Sequence, residues 1–445
     1  MGRSRPVRTI AALAVAVVSG ALLYVSAPGS TLVDVPMFTS AGGDDFSTPV
    51  TPELSPFYDI DSVGDRRPGT VLRAEPVQGA PAGIQMYRFI YTSTDLDGNI
   101  IPVSGLYTAP TSPPPAEGFP LIGFAHGTTG VGRMCGISHT PLQPETPAYS
   151  AWVPHIKPLV EQGWAVVATD YSGMGAPGPA SYLVGPLEAR GILDSMRAVL
   201  NPAIEIGRVR VDPTKLAIYG KSQGGEAAIS AMELAPSYAP DLTIAGGVSL
   251  APGFTPALQG VLNTVANNPT STTQNMFVLL IAKSFADNYP ELVDLDEILS
   301  EAGQERVALL ESHCGSDLSA RVSDVPLSQL INSPVAPGLV TALGRAMPGS
   351  TPLTMPEMVV QGLEDVTILP QFTHAIVMSQ CAAGDTVFYV RYTNDDHGSL
   401  NFQARLHDPS VLDWIRDRWA GLPAPNNCAN QLLGSRDTIA PVTAS

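Results

Sequence analysis

A serine between two glycines is the residue of this chain best suited to act as a nucleophile. The segment Gly220-Lys221-Ser222-Gln223-Gly224 follows an apolar run at 215–219 and precedes a helix-forming stretch at 226–234. A strand, a tight turn and a helix in that succession present a serine hydroxyl at the end of a strand, and flanking glycines avoid side-chain collisions there. We therefore predict that Ser222 is a nucleophile. The alternative is a glycine-rich turn with a solvent-facing serine.

A serine nucleophile needs a base to remove its proton and an acid to orient that base. The strand-like run at 356–361 is followed by Gly362-Leu363-Glu364-Asp365. This order places a carboxylate just past the carboxyl end of a strand, where open α/β sheets build their sites. We predict Asp365 as the acid, because its Gly-x-x-Asp spacing resembles the pattern of serine hydrolases, and Glu364 is the competing candidate.

One of the seven histidines follows the last strand-like run. That run, 385–392, leads into a polar turn and then His397-Gly398. A histidine after the acid in sequence fits the chain order serine, acid, histidine, so we predict His397 as the base. The alternative is an ordinary loop histidine. The other histidines are predicted to be turn, surface or packing residues, and no pair has metal-ligand spacing such as HExxH: His126, His139, His155, His313, His374 and His407.

A second glycine-rich loop follows a predicted buried strand at 119–125. Its sequence is His126-Gly127-Thr128-Thr129-Gly130. Such a loop can donate a backbone N–H to the negative oxygen that develops during acyl transfer. We predict the N–H groups of Thr128 and Gln223 as the two donors. The alternative for the 126–130 segment is an ordinary turn.

These motifs resemble the secretory lipase family, α/β-hydrolases that include the fungal lipase-A-type enzymes. The matching residues are Gly220–Gly224, His126–Gly130, Asp170–Gly175, Asp365 and His397. The resemblance covers roughly residues 55–430 and is more specific to α/β-hydrolases than to lipases among them. It implies a carboxylester hydrolase, and more finely a triacylglycerol lipase, with a helical cap inserted ahead of the strand that bears the acid.

The alternation of predicted strands and helices indicates an α/β-hydrolase fold, a mostly parallel sheet flanked by helices. A β-hairpin is predicted from Gln85 to Tyr107, with its turn at Asp97-Gly98. Further strands are predicted at 119–125, 164–169, 215–219, 243–249, 356–361 and 385–392, and helices at 187–200 and 411–419.

The alternation stops between residues 251 and 350, where the apolar pattern has helical periodicity. We predict that this segment is a helical cap over the site, the alternative being a structural insertion far from the serine. Its apolar run at 276–282 is too short to span a bilayer. The predicted hydrolase domain comprises 56–250 and 351–430, and a C-terminal tail follows at 431–445.

The N-terminus has the pattern of a signal peptide at 1–27, with a basic start, an apolar stretch and a small-residue site. Pro28 disfavours cleavage directly after that site, so an uncleaved anchor associated with a membrane is the alternative. Residues 28–55, rich in Pro, Ser, Thr and Gly, are predicted to be a flexible tether. The sequence therefore predicts a secreted or cell-envelope-associated protein.

The chain is acidic, with a formal net charge of -17. Removal of the N-terminal segment, which carries Arg3, Arg5 and Arg8, would bring the charge to about -20. Nucleic-acid partners require basic patches, so we expect none. The acidic surface favours solubility and does not identify the substrate.

The even number of cysteines, four, suggests two disulfides in an exported chain. Three pairings are possible, and free buried thiols are the alternative. We favour Cys135–Cys314, which would tie the loop after the oxyanion strand to the cap. The second bond would then be Cys381–Cys428, which would tie the segment after Asp365 to the C-terminus.

The resulting hypothesis is a two-step acyl transfer on a lipid or small ester substrate, without a metal or organic cofactor. Ser222 would attack the ester carbonyl while His397, oriented by Asp365, takes its proton. Two alternatives stay open: a peptidase of the same fold, which would share these residues, and a non-catalytic binding protein on a hydrolase scaffold. The sequence does not indicate the acyl length or the oligomeric state.

Overall fold

The computed structural model describes residues 53–201, 206, 210–253, 270–272, 274–332, 336–349, 351–401 and 410–432. The predicted signal peptide or anchor at 1–27, nearly all of the tether, His407 and nearly all of the C-terminal tail lie outside the described residues. Residues 254–269 of the predicted cap also lie outside them.

Within the described residues, nine strands form one mixed sheet. In chain order they are β1 (Val71–Pro76), β2 (Ile84–Thr94), β3 (Ile100–Pro110), β4 (Phe119–Ala125), β5 (Ala165–Thr169), β6 (Val211–Lys221), β7 (Ile244–Leu250), β8 (Glu357–Gly362) and β9 (Val387–Tyr392). Their spatial order is β1-β2-β3-β5-β4-β6-β7-β8-β9. In this spatial order, the strands from β1 to β5 pair antiparallel with their neighbours. The strands from β5 onward, through β4 and β6 to β9, pair in parallel.

Helices lie between and after the strands. In chain order they are α1 (Pro147–Ala151), a π-helical turn (Trp152–Ile156), α2 (Lys157–Glu161), α3 (Gly185–Leu200), α4 (Gln223–Tyr238), α5 (Asn275–Asn288), α6 (Leu295–Ile298), α7 (Glu301–Val307), α8 (Gly315–Val322), α9 (Leu327–Leu330), α10 (Pro337–Ala346), α11 (Pro370–Ala383), α12 (Val411–Trp419) and α13 (Cys428–Leu432). Short 3-10 turns occur at Pro56–Tyr58, Arg133–Cys135 and Ala308–Glu311.

The parallel strands are buried on both faces, because helices pack on each side of the sheet. Side chains alternate between the faces, so Ile218 of β6 joins the core beneath α3 and α4. Its neighbours Ala217 and Tyr219 join the core on the opposite face, with Trp414 of α12. The predicted fold class, a mostly parallel sheet flanked by helices, is confirmed. The antiparallel edge strand β1 and the extension of β6 back to Val211 were not predicted.

Six parallel strands end at one edge of the sheet, and four of them, β4, β6, β8 and β9, precede the predicted site residues. In the parallel register, Ala125 of β4 is opposite Gly220 of β6, and Gly362 of β8 is opposite Tyr392 of β9. The loops that carry the predicted nucleophile, acid, base and oxyanion donors therefore all leave the sheet at its carboxyl edge. From β4 the chain crosses to β5 on one side of it, and β6 then lies on the other side of β4. The carboxyl end of β4 is therefore a topological switch point.

The helices α5 to α10 are inserted between β7 and β8. They share an apolar core that includes Leu279, Leu280 and Phe285 of α5 with Leu310 and Leu318. Among the described residues, no helix combines the length and the apolar run of a membrane span. That the segment acts as a cap over the site stays a prediction.

The structure contains two disulfide bonds, Cys135–Cys314 and Cys381–Cys428. The first joins the loop after β4 to the start of α8 in the helical insertion, and the second joins α11 to α13. They have the pairing favoured from the sequence. The sequence separations are 179 and 47 residues.

We expect peptide mapping under non-reducing conditions to find Cys135 linked to Cys314 and Cys381 linked to Cys428. Closing loops of these lengths stabilises the folded state by about 5 and about 4 kcal/mol in the chain-entropy model. Reduction should therefore lower the melting temperature. Any other linkage, or four free thiols in protein purified from the medium, would show that the pairing is wrong.

Candidate active site

Ser222 sits in a strained backbone conformation between β6 and α4. Its φ is 58° and its ψ is -122°, a region that non-glycine residues rarely occupy. The Ser222 N–H donates to the carbonyl of Leu250 at 2.8 Å, and its own carbonyl accepts from Gly253 N–H at 2.8 Å. These bonds to the end of β7 and the chain beyond it hold the turn, whose strain costs about 1–3 kcal/mol.

The two glycines of the motif are required by close backbone contacts. A Cβ on Gly220 would overlap the carbonyl of Gly224, the second residue of α4. A Cβ on Gly224 would overlap the carbonyl of Ala125, the last residue of β4. The start of α4 thus packs directly on the backbone of both central strands, which fixes the position of Ser222 relative to the loop after β4.

The structure brings Ser222, His397 and Asp365 into one hydrogen-bonded chain. His397 Nε2 lies 3.1 Å from Ser222 Oγ, and His397 Nδ1 lies 2.8 Å from Asp365 Oδ2. With Nδ1–H donating to the carboxylate, Nε2 is free to accept the serine proton. The Asp365 side chain is fully buried, and 21% of the His397 side chain is exposed.

Asp365 is held by its own loop. Its Oδ1 accepts from the N–H groups of Thr367 and Ile368 at 2.9 and 2.8 Å, and its Oδ2 accepts a longer bond from Gln361 Nε2 at 3.3 Å. The competing candidate, Glu364, is exposed. The structure therefore brings Asp365 to His397, and Glu364 points to solvent.

The loop of His397 is fastened to the loop of Asp365. Leu363 N–H donates to the carbonyl of Tyr392, and Glu364 N–H donates to that of Asp395 at 3.0 Å. A Cβ on Gly362 would overlap the Asp395 carbonyl, so the two loops could not approach this closely with a larger residue there. The acid and the base are thus positioned as one unit.

The 126–130 loop lies against the serine. A Cβ built on Gly127 would be 3.7 Å from Ser222 Cβ. Thr128 Oγ1 is hydrogen-bonded to the hydroxyl of Tyr182 at 3.1 Å, and the Thr129 carbonyl accepts from Gly315 N–H at 2.8 Å. The helical insertion, which contains Gly315, therefore contacts the loop that carries the predicted oxyanion donor Thr128.

Three residues near this site were missed by the sequence analysis. Tyr182 contacts Thr128, and a buried carboxyl of Glu188 accepts from the side chain of Gln223. Glu226, also buried, lies one turn further along α4. A glutamate in the first turn of a helix is favourable for the helix dipole whether it is buried or exposed. The sequence alone therefore does not distinguish Glu188 and Glu226 from surface glutamates.

The remaining described histidines have other surroundings. Burial lowers the pKa of His126 to about 4, and its Nδ1 is bonded to the Gly127 carbonyl. His155 is bonded to the hydroxyl of Tyr219, and His313 to Asp317. His374 stacks on the ring of Tyr389, and His139 packs edge-on against the ring of Tyr58. In the described ranges, no group of three or more His, Cys, Asp or Glu residues could hold a metal ion.

The amino-acid sequence is similar to those of lipases. A family model described as "Secretory lipase" matches residues 140–427. The chain is 27% identical to a probable inactive lipase of Mycobacterium tuberculosis, over 84% of each chain. It is 25% identical to a secreted triacylglycerol lipase of Malassezia restricta, over 85% of this chain and 81% of that one.

Among solved structures, lipase A of Candida antarctica in its closed state is similar, with a TM-score of 0.67 and 20% identity, over 85% of this chain and 94% of that one. The rice cell wall degrading esterase of Xanthomonas oryzae gives a TM-score of 0.62 and 16% identity, over 79% and 97% of the two chains. At these identities the likeness shows a shared fold.

Gly224→Ala should abolish any chemistry of Ser222, because the added Cβ would overlap the Ala125 carbonyl and displace the turn. Gly344→Ala is the matched control, since its Cβ would meet no atom within 4 Å in the exposed part of α10. It should raise stability by up to about 1 kcal/mol. Labelling of Ser222 by a fluorophosphonate measures the first effect, and thermal unfolding the second. Normal labelling of Gly224→Ala would contradict the packing described above.

Proposed function

Because this chain belongs to the secretory lipase family, we propose that it is an exported serine carboxylester hydrolase that cleaves acylglycerols or related lipid esters. The observation that carries the proposal is the hydrogen-bonded chain from Ser222 through His397 to Asp365. This is the arrangement that acyl transfer to a serine requires.

In the first half of the reaction, Ser222 Oγ attacks the ester carbonyl carbon while His397 Nε2 takes the hydroxyl proton. Asp365 stabilises the imidazolium through Nδ1–H. The tetrahedral intermediate collapses as the C–O bond to the alcohol breaks, and His397 returns the proton to the departing alcohol oxygen. The acyl group then remains on Ser222.

In the second half, a water molecule attacks the acyl carbonyl and His397 takes its proton. The bond to Ser222 Oγ breaks, the serine regains its proton, and the carboxylic acid leaves. Both intermediates carry a negative oxygen. We assign the backbone N–H groups of Thr128 and Gln223 to that oxygen, since the 126–130 loop and the start of α4 flank Ser222.

Membership of the family does not by itself establish catalysis, because a similar mycobacterial protein is named as a probable inactive lipase. We therefore propose catalytic activity from the site of this chain. In this chain the nucleophile, base and acid are all present and within hydrogen-bond distance. A binding protein that had lost catalysis would not need the strained conformation of Ser222, whose strain must be offset by surrounding contacts. These observations favour a working hydrolase over a binding protein.

Export is supported by the two disulfides, which form in oxidising compartments, and by the secreted relative from Malassezia restricta. The N-terminal residues 1–27 would direct it, either as a cleaved signal peptide or as an anchor. A lipid or small ester is the proposed partner.

The helical insertion is proposed to select the acyl chain. In α5, Leu280 is completely buried in the insertion's own core, so it is unavailable to substrate. Phe277 is half-buried, and its ring stacks on Tyr182 at 6.5 Å between centroids. Since Tyr182 contacts Thr128, Phe277 is linked through Tyr182 to the 126–130 loop, which carries the proposed oxyanion donor.

Ser222→Ala should lose turnover of a chromogenic ester by several orders of magnitude without loss of fold, because no other group replaces the nucleophile. His397→Ala should be comparably impaired. Steady-state kinetics and circular dichroism on the purified variants provide the measurement. His313→Ala is the control, since His313 is paired with Asp317 in the insertion. Wild-type turnover by folded Ser222→Ala would end the proposal, and faster cleavage of a matched amide would favour a peptidase.

Phe277→Asp should lower kcat/KM for long-chain esters much more than for acetate. Each methylene buried against an apolar surface contributes about 0.8 kcal/mol, which a carboxylate would not provide. Val340→Asp is the control, because Val340 lies in the same insertion and is already 45% exposed. An acyl-length series of nitrophenyl esters measures the effect. Equal losses for both chain lengths, or a wild-type preference for acetate, would remove Phe277 from acyl recognition.

A further inference from the structure

Two buried glutamates lie beside the predicted oxyanion donors and have no part in the mechanism above. Glu188 is in the first turn of α3 and Glu226 is in the first turn of α4. Their exposures are 0% and 1%. Buried carboxylates are costly unless they are paired or neutralised, so these side chains require an explanation.

Glu226 lies against the first turn of α3, since a Cβ built on Gly185 would be 2.6 Å from Glu226 Oε1, and each carboxyl acts on the pKa of the other. One oxygen of each has a separate donor: Gln223 Nε2 donates to Glu188 Oε1 at 2.6 Å, and Ser230 Oγ donates to Glu226 Oε1 at 2.9 Å. Among the described residues, neither Oε2 receives a hydrogen bond from any other group. Two carboxylate oxygens cannot bond without a proton between them, so one shared proton satisfies both.

The surroundings favour a single negative charge on this pair. Burial raises the pKa of Glu188, and burial together with the charge of Glu188 raises the pKa of Glu226 well above its ordinary value. The N-termini of α3 and α4 stabilise the one charge that remains. The other titratable groups near the pair are the phenols of Tyr171 and Tyr182. Glu233 also acts on Glu226.

Glu188 is connected to both predicted oxyanion donors. Its Oε1 bonds the side chain of Gln223, and it also accepts from Leu183 N–H at 3.2 Å. Leu183 has a positive φ of 55°, so this bond supports a strained turn. The preceding residue, Tyr182, is bonded through its hydroxyl to Thr128. The Glu188 carboxyl is thus bonded directly to Gln223, and it is linked to Thr128 through Leu183 and Tyr182.

We propose that Glu188 and Glu226, joined by one shared proton, form a positioning unit that holds Gln223 and Thr128 in place to receive the oxyanion. This inference rests on the proposed hydrolase function. Loss of the shared proton leaves two buried carboxylates in contact, whose repulsion separates them and releases Gln223. The unit therefore makes acyl transfer sensitive to alkaline pH.

Through Ser230, the pair adjoins a groove, and this groove is the proposed route for proton exchange with solvent. Ser230, which bonds Glu226, lines this groove of about 210 Å³ together with Glu233 and Arg345. The direction of the pH effect follows: a carboxyl whose folded pKa is raised keeps its proton at neutral pH and loses it as pH rises through that folded pKa.

The decisive variant is Glu226→Gln, whose amide N–H replaces the shared proton and cannot be titrated. The wild-type protein should show an infrared band of a protonated carboxylic acid that the variant lacks, and its kcat should fall at alkaline pH where that of the variant does not. Glu357→Gln is the control, since burial also raises the pKa of Glu357 but its carboxyl accepts from Gln380 Nε2 and does not act on the pair. It should retain the alkaline fall. An unchanged band and pH profile in Glu226→Gln would overturn the proposal.

Glu188→Leu removes the oxygen that accepts from both Gln223 and Leu183. It should lower kcat by about tenfold or more with little change in KM, less than the roughly 10²–10³-fold loss of a whole oxyanion donor. Glu188→Gln keeps the acceptor and should restore most of kcat. Equal kcat in Glu188→Leu and wild type would overturn the positioning role. If Glu188→Leu does not fold, the Glu226→Gln comparison decides.

Failure of the hydrolase function is distinguishable from failure of this inference. In the first case, wild-type protein neither turns over esters nor reacts with a fluorophosphonate at Ser222, while the infrared comparison still reports the shared proton. In the second case, wild-type protein is active and Glu226→Gln differs from it in neither readout.

Discussion

The strained turn at Ser222 is the constraint on which the rest of the site depends. A positive φ at a non-glycine residue persists only where neighbouring contacts enforce it. Here the start of α4 packs on the backbones of β4 and β6 so closely that only glycine fits at 220 and 224. The same packing brings the 126–130 loop to the serine, so the proposed nucleophile and the loop of the proposed oxyanion donor Thr128 are fixed by one set of contacts.

The other side of the site is built from polar bonds within the loops after β8 and β9. Asp365 is held by backbone N–H groups, and its loop is bonded to the loop of His397. The helical insertion is joined to the chain that follows β4 by the Cys135–Cys314 disulfide and by the hydrogen bond from Gly315 N–H to the Thr129 carbonyl. Under the proposed function, this connection links the insertion, which would select the acyl chain, to the loop of the proposed oxyanion donor Thr128.

The strand pattern and the order of motifs along the chain were predictable from the sequence, because apolar periodicity and glycine spacing are local properties. The Gly-x-x-Asp spacing favours Asp365 over Glu364, and in the structure Asp365 is the one bonded to His397 while Glu364 is exposed. Within the apolar run at 276–282, the sequence does not distinguish Phe277, which is half-buried, from Leu280, which is fully buried in the core of the insertion. Glu188 and Glu226 are 38 positions apart and meet only because α3 and α4 pack side by side, which no local pattern reports.

The central claim is that Ser222 carries the acyl group during turnover. The most direct measurement is rapid acid quenching during hydrolysis of a chromogenic ester, followed by mass spectrometry of the peptide that contains Ser222. The account predicts an increase equal to the acyl mass on Ser222, formed in step with a burst of released alcohol and absent from Ser222→Ala. Turnover with the acyl group on another residue, or with unmodified Ser222 under conditions that accumulate an intermediate, would contradict it.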